Sequence, residues 1–183
     1  DVFKFWQAAT VGDGTADDGN IFGYDVIKAS SGKIYAIGQT SGDLSMVNLG
    51  TSGAYDYVLI TFDPATEKME FYQNGTSNDE ETYALCELAN GKIAYTGRTT
   101  GTLGGTQQGG YDIFLGIFDP ATETSTYYST GSGLDDKGVN SIKDCVVTDR
   151  SFVGTSTQYL VRTPWDLELV VFEQNDEGLH DLR

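Results

Sequence analysis

Three acidic pairs are the residues of this 183-residue chain most suited to chemistry: Asp17-Asp18, Asp79-Glu80 and Asp135-Asp136, each just ahead of an expected strand. Clustered carboxylates beside backbone carbonyls offer the hard oxygen ligands that Ca²⁺ takes. Ca²⁺ is thus the one cofactor the sequence admits. The stretch GDGTADDGN (12–20) has the look of a calcium loop, but lacks its Gly at the sixth position and its downstream Glu. The competing reading is structural, with the carboxylates capping turn amides between repeats. A second set, Asp56, Asp112 and Asp166, follows an aromatic residue each time. Glycoside hydrolysis needs two carboxyls converging at roughly 5–9 Å, whereas repeated positions need not converge, so these acids are read as structural. One His, His180, leaves no His cluster for a metal and none for a nucleophilic triad outside the tail. No Gly-Lys-Ser/Thr phosphate loop and no Gly-x-Ser-x-Gly elbow occurs. No catalytic residue is assigned, and the chain is expected not to be an enzyme.

Other side chains suggest contact rather than catalysis. Aromatic doublets recur at Phe5-Trp6, Phe71-Tyr72 and Tyr127-Tyr128. Alternation along a strand sends one ring of each doublet between layers and the other outward. An outward ring at Phe5, Trp6, Tyr72 or Tyr128 could stack on a sugar face or a neighbouring subunit. Cys86 and Cys145 are the only cysteines; in an exported protein an even pair suggests a disulfide, and two buried thiols are the alternative. Asn74-Gly75-Thr76 is the only N-glycosylation acceptor pattern in the sequence, on the turn after strand d, where a glycan would fit.

The elements that hold these residues repeat. GKIYAIGQTSG (32–42) precedes YDYVLITFDPATEKMEFYQ (55–73), and GKIAYTGRTTG (91–101) precedes YDIFLGIFDPATETSTYYS (111–129). A degenerate third copy has DRSFVGTST (149–157) and WDLELVVFEQNDEGLHDLR (165–183). Phe62, Phe118 and Phe172 mark the copies, at steps of 56 and 54 residues. Each copy reads as four strands. Strand a is expected at 24–29, 83–88 and 141–146, and strand b at 33–38, 92–97 and 151–155. Strand c, as at 57–62, is an apolar run suited to burial on both faces. An Asp-Pro-Ala-Thr turn follows, with Asp bonding its own backbone and Pro fixing φ. Strand d then falls at 69–73, 125–129 and weakly at 179–182. VFKFWQ (2–7) matches strand d without its companions.

Four-stranded modules of about 50 residues in series are the pattern of propeller blades. The expected fold is therefore all-β: three four-stranded antiparallel blades of propeller type, plus an extra N-terminal strand. Residues 1–7 are read as the outer strand of a preceding or shared blade, 8–75 as the first repeat, 76–131 as the second and 132–183 as the degenerate third. The stretch GRTTGTLGGTQQGGYDIFLGIFD (97–119), with the acidic pair of GSGLDD, resembles the bacterial-type β-propeller repeat known as SBBP. DPATE is similar to Kelch repeats, but the Gly-Gly doublet and the Trp of that pattern are missing. The SBBP resemblance implies a propeller of secreted or cell-surface proteins serving as scaffold or interaction surface, with no catalytic motif to transfer.

The composition agrees. Eleven Lys and Arg against 27 Asp and Glu give a formal charge of −16, which repels nucleic acid and anionic membranes. There are 23 Gly and only 3 Pro, as many short strands with tight turns require. No apolar run nears the roughly 20 residues that span a bilayer. The chain opens on DVFKFWQ without initiator Met or signal-peptide pattern, and is expected to be a mature or excised portion of a longer protein, or a trimmed subunit. Three blades fall short of the four to eight of closed propellers, so partners are expected: other copies, or the rest of a longer chain. The function expected is a non-enzymatic, extracellular structural or adhesive module inside a surface assembly or filament. A carbohydrate-binding propeller is the alternative, and a polysaccharide-active enzyme comes third.

Overall fold

A computed structural model describes residues 20–44 and 54–131, together with the backbone of three later strands, 157–162, 169–175 and 178–182. The strands are β1 (Ile21–Lys28), β2 (Ile34–Thr40), β3 (Asp56–Asp63), β4 (Lys68–Asn74), β5 (Glu80–Glu87), β6 (Ile93–Thr99), β7 (Asp112–Asp119) and β8 (Thr124–Thr130). After them come β9 (Thr157–Arg162), β10 (Leu169–Asn175) and β11 (Gly178–Leu182). The described residues contain no helix. Strands β1 to β4 form one antiparallel sheet in sequence order, and β5 to β8 a second. A third sheet has the order β11-β10-β9. The fold is all-β, with two four-stranded antiparallel sheets of one design.

Local chemistry repeats with the strands. The β1–β2 turn closes through the Gly32 amide on the Ala29 carbonyl, and the β5–β6 turn through the Gly91 amide on that of Leu88, both at 2.9 Å. Gly32 and Gly91 sit at φ of 86° and 80°, the left-handed region that glycine enters without a Cβ clash. At the next hairpin, Asp63 accepts the Ala65 amide and Asp119 the Ala121 amide, each at 2.9 Å, and these bonds hold both carboxyls below their ordinary pKa. Glu67 and Glu123 close these loops at φ of 58° and 57°. The register slips at the same place in both first strands, between Gly23 and Asp25 and between Thr82 and Ala84, so Tyr24 and Tyr83 are bulge residues. Strands β1 and β2 lie 59 residues before β5 and β6, but β3 and β4 lie 56 before β7 and β8. The β2–β3 loop of the first copy therefore carries three extra residues.

The two sheets pack face to face around one core. Tyr35, Ile37, Tyr57 and Leu59 of the first meet Leu85, Ile93, Tyr95, Phe114 and Phe118 of the second, with Leu103 from the β6–β7 loop. Tyr35 and Tyr72 bring their rings to 6.3 and 4.8 Å from that of Phe118. Tyr57 lies 5.3 Å from Tyr95 and 6.2 Å from Phe114. Burying a side chain of this size stabilises the fold by roughly 1.5–3 kcal/mol. Gly116 makes the approach possible: a Cβ there would stand 2.2 Å from the Tyr95 ring.

The expected strands at 24–29, 33–38, 57–62, 69–73, 83–88, 92–97 and 125–129 are all present within a few residues. In the third copy β10 contains Phe172 and β11 covers 179–182, while β9 occupies Thr157–Arg162, where no strand is expected. The segments 2–7, 141–146 and 151–155 lie outside the described residues.

Candidate functional site

Where β3 and β7 begin, the repeat buries an aspartate. Asp56 is 0% and Asp112 1% exposed. Asp56 accepts from the Gln73 amide at 2.9 Å, and the same Gln73 nitrogen reaches the Gly42 carbonyl at 3.1 Å. Asp112 accepts the Gln108 amide at 2.8 Å. Both carboxylates thus pin the long β2–β3 or β6–β7 loop to its sheet. Asp166 lies outside the described residues.

The acidic pair 79–80 serves the same junction. Asp79 accepts the Tyr55 amide at 3.0 Å. Glu80, fully buried, accepts the Thr76 amide at 2.6 Å, the Thr76 hydroxyl at 2.7 Å and the Thr99 hydroxyl at 2.8 Å. Burial pushes the Glu80 carboxyl above its ordinary pKa, the threonine bonds oppose this, and nearby Asp56 adds to the rise. A Cβ on Gly75 would meet Asp56 Oδ1 at 2.3 Å and Glu80 Oε2 at 2.6 Å, so the two carboxyls converge on one point. Asp79 Oδ1 and both Glu80 oxygens already accept protein donors. Among the described residues no three His, Cys, Asp or Glu side chains are grouped to hold a metal ion. Asp17, Asp18, Asp135 and Asp136 lie outside those residues.

One ring of each described strand-d doublet faces the other sheet. Tyr72 packs on Phe118, and its hydroxyl is pushed up to about 12 by burial and by Glu70. Tyr127 meets the first sheet, its hydroxyl bonded to that of Tyr57 and receiving the Asn74 side-chain amide at 3.0 Å. Tyr128, on the opposite face of the second sheet, is half-buried and lines a pocket of about 130 Å³ with Lys92, Asp119 and Thr122. Tyr72 and Tyr127 are thus committed to the space between the two sheets. Phe5 and Trp6 lie outside the described residues. Asn74 also accepts the Gly75 amide at 2.8 Å, so its amide is committed to packing on both sides. Cys86 is disulfide-bonded. It holds the position of Ile27 59 residues earlier, but on the face turned away from the first sheet; Cys145 lies outside the described residues.

One cluster has no counterpart in the reading of the sequence. Arg98 donates from Nε to Glu81 at 2.9 Å, pairs with it again at 2.7 Å, and lies 4.0 Å above the Tyr111 ring. The bulge residue Tyr83 donates to Glu81 at 2.6 Å and stands edge-on to Tyr24, centroids 6.0 Å apart. Burial and the Glu81 charge push the Tyr83 hydroxyl well up. Phe22 and Tyr24 extend this strip into solvent, at 44% and 46% exposed. The signal lies in the repeat, since Tyr24 and Tyr83, like Tyr55 and Tyr111, are equivalent positions. Compared with protein-family models and with curated proteins, the chain matches none.

Proposed function

We propose that the chain is a non-enzymatic structural or adhesive module of the extracellular or cell-surface space, built of propeller-type blades that resemble SBBP repeats and working within a larger assembly. One observation carries this reading. Two copies of one four-stranded meander stack through a shared core, and the buried carboxylates serve loops rather than open onto a cleft. A unit that buries one face against a copy of itself and repeats in series is suited to arrays. The charge of −16 keeps such a surface away from nucleic acid and anionic lipid. Electron microscopy or X-ray scattering of the native material tests it: rings or elongated particles are expected, and isolated compact 19.8 kDa particles would oppose it.

A second reading is favoured by the Phe22–Tyr24–Tyr83 strip. Exposed rings beside a paired Arg98 and Glu81 offer a stacking face with a donor and an acceptor, the combination a neutral sugar ring needs. Glycan-array binding that Tyr24→Ser abolishes would support it. Equal signals from both proteins would remove it.

A further inference from the structure

The first and second sheets are copies, yet their like faces are not equally covered. On the second sheet the face that meets the first carries Leu85, Ile93 and Tyr95, at 2%, 0% and 0% exposed. The residues 59 positions earlier, on the same face of the first sheet, are Val26, Ile34 and Ala36. Val26 is 60% exposed, and Ile34 and Ala36 are half-buried. Ile60 and Phe71 continue this apolar face across β3 and β4, also half-buried. Leu103 packs into the core between sheets, while its counterpart Leu44 is half-buried. On the far face of the second sheet Ala94, Thr96 and Leu115 are 1–3% exposed, while Cys86 and Tyr128 are half-buried and Thr126 is exposed. Of the two like faces, the one on the first sheet is thus the uncovered one.

The existing interface dictates what fits an uncovered face of this kind. It joins unlike faces: one sheet offers its Val26-type face, the other its Tyr35–Leu59 face. In the third sheet Leu160, Leu169 and Val171 fall at the register positions of Tyr35, Leu59 and Thr61, and Arg162 at that of Ile37. The three sheets among the described residues are too few to close a ring on themselves, since closure takes about four to eight. A contact between unlike faces is heterologous, and identical chains joined that way form rings or filaments.

We propose that the Val26–Ile34–Ala36–Ile60–Phe71 face is the seat of a second copy of this chain, which docks its β9–β11 sheet there head to tail. This rests on the reading of the chain as a stacked-blade assembly module. Size-exclusion chromatography with light scattering tests it on the full chain. The wild type should run at a whole-number multiple of 19.8 kDa. Val26→Glu, at a position exposed enough to fold, should fall to the single-chain mass with unchanged circular dichroism, whereas Thr122→Glu on an exposed turn should keep the multiple. A wild type at single-chain mass overturns both this proposal and the assembly reading; a multiple that survives Val26→Glu overturns the docking site alone. A photo-crosslinker at residue 26, in mixed light and heavy-isotope protein, should mark residues 157–182 of another copy. Marking its own copy, or β1–β4 of another, overturns the head-to-tail arrangement.

Discussion

Glu80 accepts three hydrogen bonds and yet its carboxyl is pushed toward the protonated form, because full burial outweighs the donors. A carboxyl raised above its unfolded value contributes stability that is fully present below the unfolded pKa, near 4.5, and lost as pH rises through the folded value. Stability owed to Glu80 should therefore decline from acid toward neutral pH. Glu80→Gln removes the charge and keeps the shape: its oxygen can accept the Thr76 amide, and its nitrogen can donate to the Thr76 and Thr99 hydroxyls. Thermal melts from pH 4 to 8 should show the variant equal to or above wild type at pH 8, with wild type gaining on it as pH falls. Parallel curves would contradict the assignment. Glu80→Ala leaves the Thr76 amide without a partner and should cost about 2–3 kcal/mol at pH 4 and less toward pH 8.

At the scale of strands and turns, the hairpin of β7 and β8 contains two opposite tests. Gly116 lies under the Tyr95 ring, itself fully buried and bonded to Ser125 at 2.9 Å. Gly116→Ala should push that ring off its rotamer and lower stability by about 1–3 kcal/mol in urea titration; an unchanged midpoint would mean the ring moves freely. Glu123 holds a left-handed backbone that costs an L-residue roughly 1–2 kcal/mol. Glu123→Gly should therefore raise the unfolding free energy by about 0.5–1 kcal/mol, less than the full strain because glycine also loosens the unfolded chain. These strands are legible in the sequence because apolar runs and Asp-Pro turns are local signals. The bulges at Tyr24 and Tyr83 are not, since a bulge arises from pairing with β2 or β6 rather than from its own residues. Nor is the fate of Tyr72 and Tyr128: alternation assigns them a face of the sheet but says nothing of what lies against it. The Asp63 and Asp119 turns are legible as Asp bonding its own backbone, and the structure supplies the amides, those of Ala65 and Ala121, whereas Asp56 and Asp79 can be given structural roles from sequence without the loop amides and side chains they hold.

For the whole molecule, the question is whether the stack continues past the second sheet as one cooperative body. Ala94, Thr96 and Leu115 are buried on its far face, and Cys86 sits on that face in a disulfide. Its counterpart Ile27 packs against the core between the first two sheets, so a cysteine in that place is set to clamp the second copy to the third. With only Cys145 to pair with, the bond would close a loop of about 60 residues, worth roughly 4 kcal/mol on the chain-entropy account. Intact mass should rise by two hydrogens on reduction, and Cys86→Ser should lower the stability read from the unfolding midpoint by about 2–4 kcal/mol. The form of the transition is more telling than its position. If stacked sheets share their cores as the first two do, wild type should unfold in one step, and Cys86→Ser should separate the third copy into an earlier step of its own. Two steps already present in wild type would mean that the third copy is a separate body, tethered by the bond and not packed by the repeat.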